Sequence, residues 1–95
     1  MALDFGTVEK APGATLRVVV SFADDLAAAG VGVTVSGNAT VSGAGATAAH
    51  VSTTSAGVVT LTVAGGTRDV VGVVTVTATY SNGEVQVGEL LVTPA

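Results

Sequence analysis

GVVTVTATYSNGEVQV, residues 72–87, decides the fold class. Val74, Val76, Ala78 and Tyr80 recur at every second position, with Val73, Thr75, Thr77 and Thr79 between them. A period of two is that of a strand with one face turned to a core. Val and Thr suit it physically, because a branched Cβ fits a pleated surface and loses rotamer freedom in a helix. After Tyr80 come Ser81, Asn82 and Gly83, and a second alternating run follows. Asn-Gly is favoured where both central residues of a type I′ turn need positive φ, so the two runs predict a hairpin with that turn.

The same period extends outward in both directions. Thr15–Ala23 places Leu16, Val18, Val20 and Phe22 on one face, with Arg17, Val19 and Ser21 on the other. Val31–Ser36 aligns Val31, Val33 and Val35; Ala39–Ser42 is a shorter candidate. Gly57–Val63 aligns Val59, Leu61 and Val63, with Val58, Thr60 and Thr62 opposite. Glu84–Thr93 starts with Val85 and Val87 inward and then changes phase to Leu90 and Val92, which predicts a β-bulge at Gly88. With Phe5–Val8 as a first strand, the count is about seven, which points to a sandwich or small barrel. Asp24–Gly30 reads as a loop with at most one helical turn, capped by Asp24 and ended by Gly30. Gly43–Ala49 reads as a Gly/Ala loop whose conformation tertiary contacts must set.

Composition bounds the function. The chain has 95 residues, no cysteine, one histidine and a net charge of −4. That length suits one domain, residues 1–95, in which 1–14 form an N-terminal arm and first strand. Without cysteine there is no disulfide framework and no thiolate metal site. Three basic residues, Lys10, Arg17 and Arg68, give no footprint for nucleic acid, and an aromatic content of 3% gives no stacking platform. Val, Ala, Thr and Gly supply 63 of the 95 residues, yet no uninterrupted apolar run reaches the ~18–20 residues of a membrane helix. The opening MALDFGTVEK puts Asp4 where the apolar core of a leader begins and lacks a basic start, so it predicts no signal peptide.

Three segments carry a family resemblance. VVVSFADDLAAAGVGVTVS (18–36), TSAGVVTLTV (54–63) and GVVTVTATYSNGEVQV (72–87) resemble, in order and spacing, the bacterial immunoglobulin-like domains repeated in invasin and intimin adhesins. The Asn-Pro pair usual in that family's acidic turn is replaced by Ala27, Ala28 and Ala29. The disulfide and core Trp of antibody domains are both missing. The resemblance implies an all-β, immunoglobulin-like sandwich of about seven strands.

No group of residues states a chemistry. His50 has only Ala48, Ala49, Val51 and Ser52 as sequence neighbours, so no catalytic or metal partner stands beside it. Asp24, Asp25 and Asp69, with the carbonyls of Gly65 and Gly66, make a cation site only if their loops meet at one end of the sandwich. Ser52–Ser55 is a hydroxyl cluster without a base and reads as a turn. Asn38-Ala-Thr40 is a glycosylation pattern that is idle without secretion. The expectation is no catalytic residue, no cofactor and no bound metal.

The surface is the unusual feature. Only 11% of residues are charged, against about 25% in an ordinary soluble domain. Edge strands are usually blunted with charge, and here little is present. Outward Val19, Val58 and Val73 add apolar area, and Leu3 and Phe5 lie in the arm, where Phe5 either fills the core or docks on a neighbour. These five residues are the candidate partner interface. The reading is a non-enzymatic structural module, with a bacteriophage virion protein that decorates or stabilises a capsid or tail as its concrete form. Its partners are then capsid or tail subunits, or further copies of itself, with neither nucleic acid nor membrane insertion, and it leaves the cell by lysis. The alternative is one repeat of a bacterial surface adhesin, serving as spacer or receptor-binding module. An enzyme or carbohydrate-binding module has too few aromatic and titratable residues to build a site.

Overall fold

A computed structural model describes residues 3–11 and 13–94, without the side chains of Leu3 and Pro94. Seven strands and one short helix occupy this span. They are β1 (Leu3–Lys10), β2 (Leu16–Ser21), α1 (Ala23–Ala29), β3 (Thr40–Ala44), β4 (Thr47–Thr53), β5 (Val58–Ala64), β6 (Gly72–Thr79) and β7 (Val85–Pro94). They form an all-β sandwich of two sheets, ordered β1-β7-β6-β3 and β2-β5-β4.

The period-two pattern supplies the core. Val59, Leu61 and Val63 of β5 face Val74, Val76 and Ala78 of β6, and all six are fully buried. Val20, Phe22, Leu90, Val92 and Tyr80 complete the layer between the sheets. Burying each of these large apolar side chains is worth about 1.5–3 kcal/mol. Alternation thus supplies the layer between the sheets, and Leu26 of α1 with Val35 and Ala39 from the α1–β3 connection adds to it from outside the strands.

Five local expectations change. Val31–Ser36 is not a strand: only Val35 bridges, to Tyr80, and Val31 is fully exposed. The alternation there sets which side chains point inward, but the segment finds no ladder. It is pinned instead to the end of β6, where Ser36 N donates to Thr79 O at 2.6 Å and Ser81 N to Thr34 O at 2.7 Å. The missing strand is β4, which runs through the expected Gly/Ala loop and includes His50, Ser52 and Thr53. Its Ala-rich sequence has weak strand preference; antiparallel pairing with β5 imposes the extended chain. In place of a loop over Asp24–Gly30 with at most one turn, Ala23–Ala29 forms a seven-residue helix, with Phe22 at the N-cap position, Gly30 at the C-cap and no side-chain cap from Asp24.

The β6–β7 hairpin forms as expected, with a different turn. Tyr80 N donates to Glu84 O at 2.7 Å and Gly83 N to Tyr80 O at 3.0 Å, enclosing the three-residue loop Ser81-Asn82-Gly83. Gly83 has φ +92°, whereas Asp69 is the only non-glycine with positive φ among the described residues. Asn82 therefore excludes a type I′ turn. The arrangement is that of a three-residue hairpin loop closed by a left-handed glycine.

The fifth change concerns Gly88. The β6–β7 register runs from Gly72↔Val92 to Thr79↔Val85 without a shift, so β7 carries no bulge there. Gly88, Leu90 and Val92 all point inward, while Val85 is exposed and Val87 half-buried on the outer side. The strand keeps one phase throughout. It reads as a phase change because its inward position 88 has no side chain. The bulge lies on β1 instead, which is parallel to β7 and shifts register between Asp4 and Thr7, at Gly6.

Candidate docking surfaces

Gly88 and Phe5 define the first surface feature. A Cβ at position 88 would come within 2.0 Å of Phe5 Cε2 and 2.6 Å of its Cζ. The Phe5 ring therefore lies in a slot that only glycine leaves open. Its other wall is Phe22, met edge to face with centroids 5.2 Å apart and planes at 88°. Phe5 packs against the core as a half-buried plug, so the ring that was expected as either core or contact faces inward. The side chain of Leu3 lies outside the described residues; its backbone pairs with Gly88.

The remaining interface candidates occupy the two outer faces. Val19 pairs with Thr60, and Val58 with Ser21, on the outer side of β2-β5-β4. Val19 is 60% exposed there, Val58 is half-buried, and Val51 of β4 is exposed. Val73 pairs with Leu91 on the outer side of the four-stranded sheet and is half-buried. Leu91 is exposed there, and Val70 and Val71 are exposed in the loop that leads into β6. The structure thus splits the five candidates: Val19 and Val58 on one face, Val73 on the opposite face, Phe5 in the core and Leu3 on the β1 edge. Sequence reasoning missed Val70, Val71 and Leu91, since only the fold shows which runs end at the surface.

The two ends of the sandwich are held by polar contacts that the sequence did not single out. At one end the buried Lys10 Nζ donates to Gly65 O at 2.6 Å and to Ala11 O at 2.8 Å. This ties the end of β1 to the β5–β6 loop. At the other end the buried Tyr80 hydroxyl donates to Asp25 Oδ2 at 2.6 Å, fixing α1 to the hairpin. Burial, the hydrogen bond to Asp25, and the negative charges of Asp25 and Glu84 raise the Tyr80 phenol well above its ordinary value. No short-range pattern announces either contact, because the partners are 55 residues apart in sequence.

The three aspartates do not meet. Ser21, which precedes α1, pairs with Val58, whereas Leu16 pairs with Val63 at the end of β5 that leads into the loop of Asp69. Asp24 and Asp25 are therefore separated from Asp69 by the length of β5, about 20 Å. No group of His, Asp and Glu suited to a metal occurs among the described residues. His50 Nε2 and Thr53 Oγ1 share a hydrogen bond, and Thr53 Oγ1 accepts from Ala39 N at 3.3 Å, which fastens β4 to the residue before β3. No helix among the described residues is long and apolar enough to cross a membrane.

What remains is a sandwich with two low-charge outer faces and an N-terminal strand seated by a single aromatic plug. No curated protein and no solved structure matches the chain. Residues 10–93 match the Gp77 family, described as podophage GP4 fiber-tail adaptor protein gp77. The chain belongs to this family and is a structural component of a phage virion.

Proposed function

We propose that the chain joins a tail fibre to a podophage tail by burying sheet surface between protein subunits, without catalysis. The observation that carries this reading is the family match, which extends from the end of β1 to Thr93 of β7. The architecture supports it. A sandwich has two outer faces pointing in opposite directions, and an adaptor needs two partners at once. Val19 and Val51 are exposed on the three-stranded sheet, and Leu91 is exposed on the four-stranded one. A low-charge surface carries a small desolvation cost when it is covered, because few strongly hydrated charges must give up their water. The strand order also supports an immunoglobulin-type arrangement. β2-β5-β4 and β3-β6-β7 correspond to the B-E-D and C-F-G sheets, with the first strand on the second sheet.

The test is assembly. Particles produced without the chain are expected to carry tails but no fibres in negative-stain images, and adding the purified chain before the fibres is expected to restore attachment. Fibres on particles that lack the chain would overturn the reading.

A further inference from the structure

We propose that β1 is an exchangeable strand, and that its slot on β7 accepts β1 from a second copy of this chain. The slot belongs to the body of the sandwich. Its walls are Phe22, at the N-cap position of α1, and Gly88 of β7, and both lie inside the family-matched span. The plug, Phe5, lies outside that span, which begins at Lys10.

The geometry favours exchange of this strand above the others. β1 is an edge strand, paired only with β7, in the only parallel pairing among the described residues. Its ladder is interrupted between Asp4 and Thr7, so backbone pairing holds it in two short pieces. Side chains supply the rest: the Phe5 plug, Val8 against the core, and the Lys10 hold on Gly65 O. Each of these contacts is made to the body of the molecule, except that of Lys10 to its neighbour Ala11. Each re-forms unchanged when the body is a neighbour's. Only the five-residue link, residues 11–15, must change its path. Exchange that preserves contacts and alters only a hinge is a low-cost route to association. It is governed by local concentration, and a short link sets the intramolecular competitor at the millimolar scale.

The absence of cysteine makes the test direct. Thr7 is the partner of Leu91 across the β1–β7 ladder. Neighbouring strands lie within the Cα separation a disulfide spans. Chains carrying T7C alone and L91C alone are mixed, refolded together at ~1 mM, oxidised and separated by mass. Exchange places the position-7 thiol of one copy beside the position-91 thiol of another, so T7C–L91C dimers are expected to exceed each homodimer at least tenfold. Homodimers and mixed dimers in random proportion, or no dimer, would overturn the proposal. A second measurement excludes dimers formed through another surface. The T7C/L91C double variant, oxidised at high dilution, is locked in its own slot. Light scattering at ~1 mM is expected to give a dimer for the unmodified chain and a monomer for the locked one. The same mass for both would refute exchange.

Discussion

Replacing Gly88 with Ala tests the account of the Phe5 slot. The added methyl meets the Phe5 ring at 2.0 Å, far inside contact distance, so the ring must leave. It cannot move toward Phe22, which already touches it edge to face at 5.2 Å between centroids. Losing that aromatic pair costs about 0.5–1.5 kcal/mol. Re-exposing a half-buried Phe adds roughly 1 kcal/mol, below the ~1.5–3 kcal/mol of a fully buried one. Against this, Ala is favoured over Gly in a strand by about 0.5–1 kcal/mol. The net expectation for G88A is a loss of about 0.5–2 kcal/mol, or roughly 2–16 °C in Tm for a domain of this size. In a chain already carrying F5A the slot is empty, so the same substitution is expected to be neutral or stabilising by up to about 1 kcal/mol. The assay is urea unfolding of the four chains of this cycle, followed by circular dichroism and compared at constant m. An equal cost for G88A in both backgrounds would refute the slot, since it would show that position 88 is small for a reason unrelated to Phe5.

Three further expectations follow from the same contacts. The Tyr80 phenol is raised in the folded protein, so the folded state keeps its proton where the unfolded chain, near pKa 10, has lost it. Stability is then fully present below pH 10 and falls above it by about 1.4 kcal/mol per pH unit; Tyr80→Phe should remove this alkaline slope in pH-dependent melting, and an unchanged slope would contradict the buried hydroxyl. Lys10→Met strips the donor from the carbonyls of Gly65 and Ala11 and should cost about 1–3 kcal/mol in urea unfolding; no loss would show that this end of β1 is not held by Lys10. Val19→Lys and Leu91→Lys lie on opposite outer faces and should each change stability by less than about 0.5 kcal/mol. Each should also weaken attachment to a different partner in order-of-addition assembly, and loss of neither attachment would remove both faces from the interface.

Alternation fixed the inner faces of β2, β5 and β6, because burial of every second residue is a local property of an extended chain. The hairpin position was equally local, set by Ser81-Asn82-Gly83 between two such runs. What one strand pairs with is not local. Val31–Ser36 has the pattern and no ladder, while the Ala-rich β4 has a weak pattern and a ladder with one register shift between His50 and Ser52, because β5 offers its free edge to β4. Gly88 shows the limit most clearly. From sequence it marks a change of phase; in the fold it is an inward position emptied for a ring 83 residues away. The low charge of the surface and the lack of catalytic groupings were legible as composition. Only the tertiary structure separated Val19 from Val73 onto opposite faces, drew Phe5 into the core and joined Tyr80 to Asp25. Each depends on which segments a shared core brings together, and a core is a property of the whole chain.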